Sequence, residues 1–322
     1  MTRFLFVFAL LLSACAAPQP AAPVVPNTAP AADWPRQIET MDGTVTLERR
    51  PERLHALSLG YEEILLALAG PERFAAVSTF ALDPALSNSI SAASRVPRAI
   101  GRDPEAIVAS DPDVIIAATT SRKDLLDRLR AAGVTVLVAP FRETIDDLPR
   151  TIRWLARISG DDAAAERMIA AIEQRLARID AVVATKPEAE RPRTLLITGA
   201  GYAVAGEGAL RSSLLRRAGA RNAAAEAGIQ GDKQIGLESI VAIDPAVILT
   251  ADTTRVDLAG QLRENPALVD VAAVKQGRVI PIRDTQLSVL SHYQIRGIEE
   301  MARALYPNDF ANVTFADFPE RF

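Results

Sequence analysis

At 322 residues, with 49% apolar and 24% charged side chains, the chain is long enough to build more than one buried core. A net charge of −4 without any block of Lys or Arg disfavours a nucleic-acid partner. The single cysteine excludes an intramolecular disulfide, and the two histidines stand far apart with no H-x-x-x-H spacing, so no directly bound metal is expected.

The chain opens with a positive Arg3 and nine apolar residues, Phe4 to Leu12. A mature membrane span needs roughly 20 apolar residues, so this run reads as the core of a secretory signal over residues 1–14. It ends in Leu12-Ser13-Ala14-Cys15, which resembles the bacterial lipobox, and Cys15 is the expected lipidation site. Residues 15–40 begin with an Ala/Pro-rich, nearly uncharged stretch that denies regular hydrogen bonding and reads as an extended tether. The expected location is therefore outside the cytoplasm, periplasmic or on the outer face of a membrane, held by lipid.

A first half over 41–160 follows. Strands are expected near Leu54–Ser58, Phe74–Ser78, Val114–Ala118 and Val134–Ala139, with helices near Tyr61–Leu68, Glu105–Ala109 and Ser121–Ala132. Asp161 to Val183 lacks Gly and Pro and carries an apolar stripe at Met168, Ile169, Ile172, Leu176, Ile179 and Val183, which predicts one long linking helix within 161–187. The second half, 188–322, repeats the alternation. Its strands fall near Thr194–Thr198, Val247–Ala251 and Val279–Ile282, and its helices near Ala209–Ala218, Glu238–Ala242, Val256–Arg263 and Gln294–Leu305.

The halves are related by duplication. Glu105 to Arg130 aligns without a gap on Glu238 to Arg263 at a constant offset of 133, with 15 of 26 positions identical. Each copy reads as helix, Asp-Pro turn, apolar strand, helix. The strands are continuous apolar runs rather than alternating ones, the pattern of strands covered on both faces. The fold class expected is α/β: two Rossmann-like lobes with open, mainly parallel sheets, joined by one long helix.

Arg50 to Thr79, Gly101 to Thr119, the stretch from Tyr202, the stretch from Gly236, Val274 to Ile282 and the ending Ala304-Leu305-Tyr306-Pro307 together resemble the periplasmic-binding proteins that serve ABC importers for iron complexes and cobalamin. The resemblance implies capture of a metal chelate or tetrapyrrole (ferric siderophore, heme or cobalamin) between the lobes, delivery to an ABC permease, and no catalysis or resident cofactor. It also implies that Glu105 and Glu238, at equivalent points of the two lobes, meet arginines of the permease. The plainer role for each is to complement the positive end of its short helix, worth about 0.3–1 kcal/mol.

Ligands of open α/β sheets bind beyond the carboxyl ends of the strands. In this chain those loops hold Tyr61, Phe80, Phe141, Tyr202 and Tyr293 as flat apolar surfaces, and Arg142 and Arg283 as receivers for anionic oxygen. His292, beside Tyr293, is the better of the two histidines for an axial bond to heme, because His55 falls inside a strand. The glycine-rich Gly199 to Gly208 superficially suggests a dinucleotide loop, but YAVAG reads as a strand where a helix is required. A binding module for sensing or envelope organisation, without a permease, would have the same fold.

Overall fold

The computed structural model describes residues 34–140, 145–199 and 201–322. The signal segment and Cys15 lie outside the described residues, as do Phe141 and Arg142.

The described chain starts inside the segment read as tether. Arg36–Thr40 pairs antiparallel with Gly43–Leu47, and its buried Arg36, Ile38 and Thr40 alternate with exposed Gln37 and Glu39. That period of two is the mark of a strand with one covered face. The cover includes Trp154, whose Nε1–H donates to the Glu39 carbonyl at 2.8 Å.

In the first lobe Leu54–Ala56, Val114–Ala117 and Val136–Val138 form a parallel sheet with the repeat strand in the middle. A short parallel pair, Val77–Ser78 with Ala99–Ile100, lies on the Leu54 side. In the second lobe Arg193–Thr198, Val247–Asp252 and Val279–Arg283 are parallel, again with the repeat strand central. Ala203–Ala205 returns antiparallel to Arg193–Thr198, so the glycine-rich segment closes a strand pair and opens no helix there.

Both copies of the repeat fold alike. Helix Pro104–Ala109 precedes strand Val114–Ala117 and helix Lys123–Ala131; helix Leu237–Ile243 precedes strand Val247–Asp252 and helix Leu258–Arg263. The Asp of each Asp-Pro turn takes left-handed backbone, φ 53° at Asp111 and 43° at Asp244. Asp tolerates that conformation better than most residues because its short side chain bonds locally.

Helix Asp162–Val183 runs 22 residues, about 33 Å at 1.5 Å per residue. Its Met168, Ile169, Ile172, Ile179 and Val183 are buried as the stripe predicts. They belong to one continuous core that also takes Val114 and Ile116 from the first sheet and Val247 and Leu249 from the second. The alternate residues, Ile115 and Ala117 in one strand and Ile248 in the other, face smaller separate cores on the outer sides. Two covered faces explain why these strands read as unbroken apolar runs. Helix Leu148–Ser159, in a stretch with no expected element, packs Ile152, Leu155 and Ile158 into the shared core and stops at Gly160, φ 80°.

Candidate functional site

A cleft of about 440 Å³ opens where the carboxyl ends of the first sheet face residues 284–290 of the second lobe. Its volume is in the range of small-molecule sites. One wall comes from Leu57–Gly60, Phe80, Leu86, Arg102, Ala118, Thr120–Arg122 and Leu125; the other from Asp284, Thr285 and Ser288–Leu290. Leucine and valine side chains supply apolar surface, and Ser58, Thr120, Ser121, Thr285 and Ser288 supply hydroxyls.

Phe80 is 40% exposed, and the Arg102 guanidinium lies 5.2 Å from its ring centroid. Arg102 makes no ion pair among the described residues, so its charge is open to a ligand. Arg122 is engaged already: its Nε donates to Asp124 Oδ1 at 3.1 Å and its Nη2 to Oδ2 at 2.6 Å. The cleft thus offers an aromatic and cationic platform beside an aliphatic wall, chemistry that suits a partly flat, anionic molecule.

Below the cleft the lobes are joined by buried polar contacts. Glu62 and Glu63, in helix Leu59–Ala69, are both fully buried. Glu62 accepts from Ser78 N and Oγ, each at 2.6 Å. Glu63 accepts from Asn88 N at 2.6 Å and from Ser291 Oγ of the other lobe at 2.5 Å. Asn88 in turn donates to the Thr285 carbonyl at 2.9 Å and accepts from its hydroxyl at 2.8 Å. Burial pushes both carboxyls up to about 7, and the hydrogen bonds only partly counter it. The route from Thr285 on the cleft wall to Glu63 is continuous.

Of the expected ligand contacts, Phe80 lines the cleft and several do not. Tyr61 is buried in the core, its ring tilted against Trp154 at 6.0 Å, because the helix begins at Leu59 and turns the next residues inward. His292 is also wholly buried, packed on Tyr293 at 4.1 Å and on the edge of Phe318 at 5.3 Å, with neither ring nitrogen hydrogen-bonded among the described residues. Burial holds its pKa down at about 3. Tyr293 is half-buried in the same aromatic cluster and bonded to Ser89. Tyr202 occupies the turn between two strands at φ 49°, packed on the outer core of the second lobe. Arg283 is exposed at its strand end, where its charge offsets part of the burial that raises the Glu300 carboxyl. His55 Nδ1–H donates to the Ala76 carbonyl at 2.9 Å inside the sheet, as a packed strand residue should.

Sequence reasoning missed Arg102 and Leu86. Arg102 stands directly before the Asp103 cap of helix Pro104–Ala109, so cap recognition was the signal that would have placed it at a helix entrance facing the loops.

Glu105 and Glu238 are exposed in the first turns of helices Pro104–Ala109 and Leu237–Ile243. Asp103 caps the first by accepting from Glu105 N at 3.3 Å, whereas Gly236 caps the second with no side chain. Neither glutamate carboxylate has an ion-pair partner among the described residues.

A cobalamin-binding protein of Halobacterium salinarum is 29% identical over 280 residues, covering 84% of this chain and 72% of the relative. The ferric enterobactin-binding periplasmic protein of Escherichia coli is 28% identical over 196 residues, 57% of each chain. Among solved structures, a periplasmic heme-binding protein from Pseudomonas aeruginosa superposes with a TM-score of 0.68 at 28% identity, covering 80% of this chain and 94% of that one. The sequence profile described as periplasmic binding protein matches residues 55–285, which takes in most of both sheets and reaches the second wall of the cleft at Thr285, and the chain belongs to that family.

Proposed function

We propose that this protein is an extracytoplasmic solute-binding lipoprotein of an ABC importer, capturing a metal chelate or tetrapyrrole in the cleft and delivering it to a permease. The observation that carries the reading is the Phe80–Arg102 platform, an exposed aromatic face beside a cation that makes no ion pair among the described residues, set in the cleft between two similar lobes. Anchoring through Cys15 and permease docking through Glu105 and Glu238 complete the proposal. In support, both glutamates are exposed, unpaired among the described residues, and held at matched points of a duplicated unit.

Among ligands we favour a ferric siderophore. Heme commonly takes an axial His or Tyr. The chain's four tyrosines and two histidines all lie away from the cleft lining. A chelate that completes the iron's coordination by itself makes no such demand, and its anionic oxygens match Arg102. Titration with ferric enterobactin, hemin and cobalamin, read by visible absorption and native mass spectrometry, tests the reading. A one-to-one complex with ferric enterobactin is expected. A complex with hemin or cobalamin instead would overturn the siderophore preference, and no complex with any of the three would overturn the proposed function.

A further inference from the structure

The two copies of the repeat use one shared pair of side chains in different ways. Arg122 and Asp124 stand at the same places as Arg255 and Asp257, at the offset of 133. In the first copy the helix begins at Lys123, so Asp124 sits in the first turn and grips Arg122 through two hydrogen bonds. In the second copy the helix begins at Leu258 and Asp257 becomes its N-cap, accepting from Gly260 N at 2.7 Å. That carboxylate now satisfies a helix N–H that has no partner within the helix. Its arginine is thereby released.

Arg255 uses the freedom to cross between the lobes. Its Nη2 donates to Asp83 Oδ1 at 2.9 Å and to Oδ2 at 2.8 Å. Asp83 is steadied on its own side, where its Oδ1 accepts from Ala85 N at 2.9 Å. It lies between Phe80 and Leu86, both on the cleft wall.

We propose that the Arg255–Asp83 pair is a latch across the mouth of the cleft, slowing entry and exit of solute in the binding role proposed above. The Arg255 side chain is 66% exposed and that of Asp83 22%, so the latch is weak and salt-sensitive. Exposed pairs of this kind change an equilibrium by about two- to five-fold, and salt screens them. A weak latch suits a protein that must release its cargo. Opening then costs little.

The test uses the full chain with Cys15→Ala and spin labels at Ala131→Cys and Glu264→Cys, exposed positions that the repeat makes equivalent. Distances between labels are measured without ligand at low and high salt. Arg255→Gln and Asp83→Asn should each broaden the distribution toward longer distances at low salt. The exchange Asp83→Arg with Arg255→Asp should restore the narrow one. High salt should make the original pair resemble the single substitutions. Identical distributions for all variants would overturn the latch. In a second arm, ferric enterobactin is the probe, and Arg255→Gln should speed its dissociation by about two- to five-fold. An unchanged dissociation rate would remove the kinetic role. If the probe fails to bind the unsubstituted chain, the binding reading fails, while the distance arm still decides whether the lobes are latched.

Discussion

Ser291 Oγ donates to the fully buried Glu63 carboxylate at 2.5 Å, and that bond runs from the segment before the last helix of one lobe to the first helix of the other. Its acceptor titrates near neutrality. Glu62 and Glu63 are raised from 4.5 to about 7 by burial, so their stabilising contribution is fully present below about 4.5 and lost as pH rises through about 7. His292, lowered from 6.5 to about 3 by burial, has the opposite sign: its contribution is present above 6.5 and lost as pH falls through about 3. Across the shared window the two slopes oppose each other. With two carboxyls set against one imidazole, we expect Glu63→Gln to flatten the fall of melting temperature with rising pH, and His292→Phe to steepen it. Melting curves at intervals from about pH 5 to 8 check this. Parallel profiles for both variants and the unsubstituted chain would refute it.

Gly60 is needed for its absence of side chain. A Cβ there would collide with the Leu290 carbonyl carbon and oxygen of the other lobe, backbone atoms that cannot swing aside. Both residues also line the cleft. Gly60→Ala should therefore push the lobes apart locally and destabilise the chain by about 1–3 kcal/mol, the range for overpacking a close contact. Denaturant titration gives the number. A loss under a few tenths of a kcal/mol would show that the contact gives way freely.

The two left-handed aspartates of the repeat should respond differently to the same change. The Asp244 carboxylate has a second task, accepting from Ala272 N at 2.7 Å, while the Asp111 carboxylate lies 3.7 Å from Arg53 at the surface, whose Nε bonds the Asp111 backbone carbonyl, a group that glycine would keep. Glycine relieves the backbone at either site. Asp111→Gly is expected to be neutral within about 0.5 kcal/mol, and Asp244→Gly to lose about 1 kcal/mol, the usual value of a capping carboxylate. Equal effects would mean that the Ala272 contact contributes nothing.

The docking proposal predicts a separation of functions. Exchanging Glu105 and Glu238 together for lysine should abolish uptake and leave ligand affinity within about two-fold, because neither residue lines the cleft. Uptake assays beside binding titrations decide it. Loss of affinity in the purified double variant would assign the glutamates to the lobes themselves.

Much of the architecture was legible because burial on both faces leaves a plain trace. Val114 to Ala117 is apolar throughout, Val247 to Ala251 is interrupted only by Thr250, and the gap-free offset identified them as counterparts. The long helix was equally visible from its stripe. Strand Arg36–Thr40 was not, since five residues after a Pro-rich stretch carry too little pattern to stand out. The site was harder still. Tyr61 and His292 sit in stretches that polarity alone would assign to a ligand loop. Their direction is set by where a helix starts and by aromatic packing from Phe318 and Phe322, distant in the chain from Tyr61. Phe80 was recoverable because a large aromatic just after a short strand has little core to enter.

The central claim is that the cleft captures an anionic chelate on the Phe80–Arg102 platform. The most direct measurement is a calorimetric titration of ferric enterobactin into the unsubstituted chain and into Phe80→Ala/Arg102→Gln, with melting temperatures recorded alongside. Both side chains are exposed, so folding should be untouched while affinity falls at least about ten-fold, from lost stacking and a lost charged contact. Binding that is equally tight in the double variant would place the ligand elsewhere and contradict the account.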